Sequence, residues 1–384
     1  MKVQVQQSTK VCMNSDTAKV LFKEGAMFVL LNMPEGSEFG IDYNSWTTGP
    51  KFRGVKMIPP GIHYIYYSSS GKPGLSNNCS VRSGFFWNFR QREMVVRKWD
   101  PQLEDISLDA ATLEDKERLE CNLQELDQYL GHYPYENYKK WISLTTHMSE
   151  DLLSRLQPEC GTITSVSQFE SPSSNSESRR LEAEEVKKAA DSSPKPEKIG
   201  KLPKLTVVPG TAIRFTKIPK QRYPEGASPQ EVTIHSIDST YILESLLKSE
   251  YTNNSNGILG EIQFAFICFL VGQVFEAFDQ WKKLVHVLCS SEKALSSYTD
   301  LYMNFIAMLH FQVHEIPEDF FVDIVSSSNF LTTTLQEFFS NLEAGNGDAK
   351  LRDRGLKFRD HLTKKFKWDF TTEPDDFAPV IVDL

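Results

Sequence analysis

No two of the six cysteines (Cys12, Cys79, Cys121, Cys160, Cys268 and Cys289) stand at the CxxC spacing of zinc ribbons or thioredoxin-like centres, which removes both readings. The opening MKVQVQQSTKVCMNSD has no apolar core of signal-peptide length. A reducing, intracellular setting is therefore expected, in which Cys121, Cys268 and Cys289 read as buried thiols and the sequons at Asn78 and Asn254 carry no meaning. The most apolar segment, Ile262 to Phe275 (IQFAFICFLVGQVF), falls short of the roughly 20 residues a bilayer span needs and carries Gln263 and Gln273. It reads as a buried helix, and the protein as soluble with no membrane contact. Basic residues are outnumbered, 42 Lys and Arg against 51 Asp and Glu, giving a net charge of -9. That balance argues against a molecule-wide nucleic-acid surface, which needs clustered cations.

What is present is hydrophobic enough for real cores: 384 residues, 40% hydrophobic, 25 of them Phe, with length suggesting two to three domains. The densest information lies between Leu31 and Tyr67, LNMPEGSEFGIDYNSWTTGPKFRGVKMIPPGIHYIYY. Gly, Pro, Asn and Asp punctuate it without a regular period. It lacks a phosphate loop, a nucleophile elbow and a metal-ligand pair. It reads as a long, aromatic-rich loop suited to gripping a protein. Around it, 16–22 reads as a short helix stopped at Gly25, 26–31 as a central strand, and 61–67 as a second strand. Segments 83–89 and 94–99 read as a hairpin across Arg90–Glu93.

Helical signals follow. Thr112 is an N-cap, with Leu119, Leu123, Leu126 and Leu130 at helical spacing before Gly131. Tyr138, Trp141, Ile142 and Leu144, then Leu152, Leu153 and Leu156, mark two more helices. From Pro158 to Lys204 the chain turns Ser-, Pro-, Lys- and Glu-rich, a composition that cannot offset its chain entropy by burial and reads as a disordered linker. Ser171-Pro172 and Ser193-Pro194 are proline-directed phosphosite patterns of a kind any Ser-rich segment offers by chance. Ser228-Pro229-Gln230-Glu231 is a capping box whose helix continues through Ile237, Tyr241 and Leu247. Residues 260–289, with a break at Gly272, and then 301–311, 317–325, 330–342 and 349–366 complete a helical stack, with Asn329 and Asp348 as caps. Lys357, Arg359, Lys364, Lys365 and Lys367 form a basic stripe that reads first as a solvated face. The acidic tail carries a strand-former, Val380, Ile381 and Val382, able to add to a partner's sheet edge. The expected fold class is α+β in two domains: a β-rich, sandwich- or barrel-like unit with packed helices over 15–157, a linker over 158–205, an all-α helical stack over 206–368, and a tail over 369–384.

The residues weighed for chemistry are few. His63 with Asp42 has the composition of a general base, but no nucleophile or oxyanion loop accompanies it, and a half-buried strand histidine is the plainer reading. Lys51, Arg53 and Lys56 interleave with Trp46 and Phe52, a pattern that either clamps single-stranded RNA or presents aromatic anchors to a protein. The same aromatics also read as pins holding the loop to its own sheet. Phe264, Phe266, Phe269, Phe275, Phe278 and Trp281 read as core, while one ring of each pair Phe320-Phe321 and Phe338-Phe339 is expected at a surface. No catalytic, metal or cofactor site is expected.

PEGSEFGIDYNSWTTGPKFRGVKMIPPGIHYIYY, NLQELDQYLG, YKKWISL, GEIQFAF, EIPEDFFVDIVSSSNFLTTTLQEFF and HLTKKFKWDF together resemble the Aar-two splicing-factor family, in order across both domains and skipping the Ser-rich segment. The resemblance implies a VHS-like C-terminal domain and a non-enzymatic assembly factor of the U-five small nuclear ribonucleoprotein, present in cytoplasm and nucleus. It implies binding to the Prp-eight scaffold, at its RNase H-like domain and, through the tail, its Jab-one/MPN domain. That binding would hold off the Brr-two helicase and RNA until phosphorylation. Asn44, Trp46, Lys51, Phe52 and Arg53 fall in the matching segment, and Val380, Ile381 and Val382 where the family's tail would reach a sheet edge. A peptide- or RNA-binding adaptor is the alternative, and a hydrolase using His63 the third.

Overall fold

The computed structural model describes residues 15–69, 81–107, 112–166, 169–170, 206–252, 254–316, 330–344 and 348–370. Ser171, Ser193, Phe320, Phe321, the helix expected over 317–325, the Asn329 cap and the strand-former Val380, Ile381 and Val382 lie outside them. Helix α1, Ser15–Glu24, ends at Gly25. The reason is close approach rather than a left-handed stop: a Cβ there would sit 2.4 Å from the Leu21 carbonyl oxygen and 2.9 Å from Met57 Cα.

The strands β1 (Ala26–Leu31), β2 (Glu38–Ile41), β3 (Asn44–Thr47), β4 (Gly54–Ile58), β5 (Gly61–Ser68), β6 (Ser83–Phe89), β7 (Met94–Asp100) and β8 (Asp105–Ile106) come first. Then follow α2 (Leu113–Cys121), α3 (Leu123–Asp127), β9 (Leu130–His132), α4 (Tyr138–Thr145), α5 (Glu150–Leu156) and β10 (Ile163–Thr164). They form two five-stranded sheets, ordered β8-β7-β1-β4-β9 and β10-β6-β5-β2-β3. The expected central strand β1 is central. Most of the expected loop is sheet: its punctuation marks tight turns between short strands, with Asn32, Asp42 and Gly54 all at positive φ.

The expected hairpin is absent although both its strands are present. β6 pairs with β5, while β7 crosses to the other sheet and runs parallel to β1. The 90–93 turn carries the chain between sheets, closed by the Glu93 carboxylate accepting from the Arg90 amide (2.7 Å) and Arg92 at φ 58°. Leu130 also departs from the expected helix, which breaks at Asn122 and delivers Leu130 to a strand beside Gly54. Cys121, expected to be buried, is exposed.

The sheets pack face to face. Phe28, Val55, Val95 and Trp99 of one meet Phe39, Ile65, Tyr67, Phe85 and Phe89 of the other. Val29 and Val96 point the opposite way, under Leu119, Leu123 and Leu126 of α2 and α3. On the far side, Tyr64, Tyr66 and Phe86 face α4, α5 and the C-terminal helices. Strand β5 is thus buried on both faces, so its sequence shows no polar alternation. The expected linker begins later than Pro158, because Ile163 pairs with Gly84 and is buried.

After a two-residue pairing of β11 (Phe169–Glu170) with β12 (Thr206–Val207), residues 208–228 run without regular structure, and helices follow: α6 (Pro229–Ile237), α7 (Thr240–Ser249), α8 (Gly257–Leu270), α9 (Phe275–Cys289), α10 (Ala294–Ser297), α11 (Thr299–Glu315), α12 (Phe330–Glu343) and α13 (Ala349–Phe366). The capping box at Ser228 forms as expected. Its helix stops at Asp238, whose carboxylate accepts from the Thr240 amide and hydroxyl and the Glu292 amide, leaving Ile237 exposed rather than on a continuing apolar face. Phe338 and Phe339 are both buried, against the expectation that one would be exposed, whereas Phe275, expected in the core, is 74% exposed. One core joins the outer face of the second sheet to α8, α9 and α11–α13. No helix among the described residues is long and apolar enough to cross a membrane.

Candidate protein-interaction surface

The β2–β3 hairpin is built around Asp42. Asp42 sits in the two-residue turn at φ 54°, a conformation Asp tolerates better than most residues. Its carboxylate accepts from the Tyr64 amide (3.0 Å), the Tyr133 hydroxyl (2.6 Å) and His63 Nδ1 (2.7 Å). His63 Nε2 lies 2.8 Å from the Pro59 carbonyl oxygen. Both ring nitrogens therefore face oxygen acceptors, and the ring is 1% exposed among Phe89, Tyr133, Tyr138 and Trp141. No lone pair of His63 is offered to a substrate, so the general-base reading fails at this residue. Burial, reinforced by the Asp42 carboxylate, pushes the Tyr133 hydroxyl up from its ordinary pKa and keeps it a donor. The pair is a positioning device that holds the hairpin against β5.

The hairpin ends the second sheet. Strand β3 is an edge, and Ser45, Trp46 and Thr47 on it are exposed. A sheet edge with unpaired backbone groups and an accessible Trp has the features of a docking surface. The other sequence-level candidates separate. Asn44 is tied internally, its Oδ1 accepting from Asn137 Nδ2 at 2.8 Å. Phe52 is half-buried, its ring 5.0 Å from that of Phe39, and belongs to the core between the sheets. Arg53 bonds the Phe52 carbonyl and its backbone ties β1 to the Tyr129 carbonyl, while Lys51 is exposed. Lys56 is buried, paired with Asp127 at 2.6 Å, and adds nothing to a basic surface. Trp46→Ala is accordingly expected to change stability by less than about 1 kcal/mol. Phe52→Ala is expected to cost about 2 kcal/mol, roughly half the loss for a fully buried Phe. Urea melts of the two variants test this; equal losses would place both rings in the same environment.

The GEIQFAF segment, an acid and an amide in an apolar run, forms the seam between the domains. Glu261 and Gln263 are both fully buried. The Glu261 carboxylate accepts from the Thr216 amide (2.9 Å) and hydroxyl (2.6 Å), the Tyr251 hydroxyl (2.7 Å), Gln280 Nε2 (3.0 Å) and, from α5, Arg155 Nη2 (3.2 Å). Gln263 accepts from the His147 amide (2.8 Å) and donates to the Ser143 carbonyl (3.2 Å). Gly260 lets α8 approach closely: a Cβ would stand 2.4 Å from the His147 carbonyl oxygen. Phe264 packs on Phe86 of the sheet at 4.9 Å. Sequence reasoning used Gln263 only to exclude a bilayer and gave Glu261 no role. The available signal was the lone acid in that run, since an unpaired buried carboxylate is prohibitively costly. Of the basic stripe, Lys357 pairs with Asp353 at 2.7 Å and Arg359 with Glu343, which reduces the free positive charge there.

These features define a two-domain α+β body whose buried polar groups stitch the domains together and whose second sheet ends, among the described residues, in an aromatic-bearing edge. Family models for the AAR2 N-terminal domain and the AAR2 C-terminal repeat region match residues 24–158 and 215–371. The chain is 48% identical to the human protein AAR2 homolog over 97% of each chain. It is 37% identical to the Caenorhabditis elegans protein AAR2 homolog, covering 92% of this chain and 97% of that one. It is 22% identical to the A1 cistron-splicing factor AAR2 of Saccharomyces cerevisiae, covering 73% and 74%. The chain belongs to the AAR2 family.

Proposed function

We propose that this protein acts in pre-mRNA splicing as a non-enzymatic assembly factor of the U-five small nuclear ribonucleoprotein, in cytoplasm and nucleus. The observation that carries the reading is family membership across both domains, in a family whose yeast member bears the name of a splicing factor. The partner is the Prp-eight scaffold. The RNase H-like domain docks along the β3 edge, where Trp46 is accessible. The tail strand-former Val380, Ile381 and Val382 adds to the Jab-one/MPN domain. Occupation of the scaffold keeps the Brr-two helicase and RNA away, and phosphorylation in the Ser-rich segment, with Ser171 and Ser193 as candidates, weakens the complex by adding charge. The internal engagement of His63 fits a binding role better than a hydrolytic one.

The test is co-elution of the full-length chain with the isolated RNase H-like domain in size-exclusion chromatography, backed by titration. Wild type is expected to bind, and Trp46→Ala to lose at least about tenfold, a hot-spot-sized effect of roughly 1.4 kcal/mol. Binding unchanged in Trp46→Ala would move the interface off the β3 edge. No binding by the folded wild-type chain would overturn the partner.

A further inference from the structure

His310 and His314 stand one turn apart on α11, and His361 meets them from α13. One ring nitrogen of each lies within 4.8 Å of the others. The three rings face one another at centroid distances of 4.5, 4.8 and 5.0 Å. His314 Nδ1 lies 2.7 Å from the His310 carbonyl oxygen, so that nitrogen carries the proton and Nε2 keeps its lone pair. That Nε2 is 3.1 Å from His361 Nε2. A backbone carbonyl fixing the tautomer in this way is the usual support of a metal-bound histidine.

We propose that His310, His314 and His361 form a metal site for Zn²⁺, with three imidazole ligands and a solvent molecule in the fourth position. Neutral imidazoles select Zn²⁺ and its late first-row neighbours over Mg²⁺ or Ca²⁺, which require oxygen ligands. Zn–N bonds of 2.0–2.1 Å place tetrahedral ligand nitrogens about 3.4 Å apart. One pair, at 3.1 Å, is already close to that distance, and side-chain rotations of rings that are only partly buried bring in the third. The groove beside them, lined by Ile306, Phe311 and Phe358, opens to solvent and provides an entry path. Lys365 and Arg354 lie near enough to oppose a cation. A metal here would clamp α13, and Trp368 and Phe370 beyond it, to the body of the helical domain. The inference is independent of the splicing reading.

The experiment uses the full-length chain without a polyhistidine tag, stripped with EDTA, titrated with ZnCl₂ by calorimetry and with CoCl₂ by visible absorption. One equivalent of Zn²⁺ is expected, with no heat from MgCl₂ and an intense tetrahedral Co²⁺ spectrum. His310→Gln and His361→Gln, checked for folding by circular dichroism, should each bind Zn²⁺ at least about tenfold more weakly. Equal affinity in wild type and variants, or only the pale six-coordinate Co²⁺ spectrum, would overturn the site. The Co²⁺ spectrum of the wild-type chain decides the matter even where a variant does not fold.

Discussion

Replacing Glu261 with alanine is expected to cost about 3–5 kcal/mol, the range for removing one member of a buried charged network. The carboxylate is fully buried and takes five hydrogen bonds, from Thr216 (two), Tyr251, Gln280 and Arg155. Without it, the Tyr251 hydroxyl, the Gln280 amide and the Arg155 guanidinium lose a common acceptor, and the Thr216 amide loses the oxygen it donates to. The desolvation penalty of each group then stands uncompensated, which outweighs the simple loss of hydrogen bonds. Because Arg155 lies on α5 and Glu261 on α8, the damage falls on the seam between domains. Urea unfolding followed by both tryptophan fluorescence and circular dichroism checks this: the two probes, coincident in wild type, should separate in the variant as the domains uncouple. A loss below about 1 kcal/mol with coincident transitions would show that the network contributes little to holding the domains together.

The second large effect is expected at Asp42. Asp42→Ala removes the acceptor shared by Tyr64, Tyr133 and His63, all buried, at an expected cost of about 3–5 kcal/mol. Alanine at a left-handed position adds roughly 1 kcal/mol. Asp42→Asn retains one carbonyl acceptor and tolerates the backbone, so it should lose markedly less. The pair of variants separates the electrostatic part from the conformational part. Equal losses in the two variants would mean that the negative charge, rather than the geometry, is what the hairpin needs. Since Asp42 anchors the strand that carries Trp46, the alanine variant is also expected to weaken any partner bound along that edge.

Local signals were legible in the sequence where a few neighbouring residues decide the outcome. The capping box at Ser228, the Thr112 cap and the break at Gly272 depend on contacts within a turn or two, and all appear; the strand at Ala26–Leu31 was marked by its own unbroken apolar run, although its pairing partners are distant. Errors arose where a local pattern fits two partners. Arg90–Glu93 suits a hairpin, yet β7 pairs with β1 more than sixty residues earlier. Leu130 keeps the helical spacing of Leu119, Leu123 and Leu126 but lies in a strand, because its neighbour across the sheet is Gly54. Of the histidine cluster, His310 and His314 stand at a visible four-residue spacing, but the third member arrives from 47 residues away.

The sequence by itself determined the family and the two-part α+β architecture, since these follow from composition, order of elements and motifs read along the chain. Tertiary structure decided the roles of individual polar side chains. His63 has the same composition-level promise whether it is a base or a brace, and only two acceptors placed on its two nitrogens make it a brace. Trp46 and Phe52 are equally aromatic in sequence, and only the open edge of one sheet and the packed interior between two distinguish an exposed ring from a core ring. Burial and partnership are properties of residues distant in sequence and adjacent in space, and a one-dimensional pattern does not encode them singly.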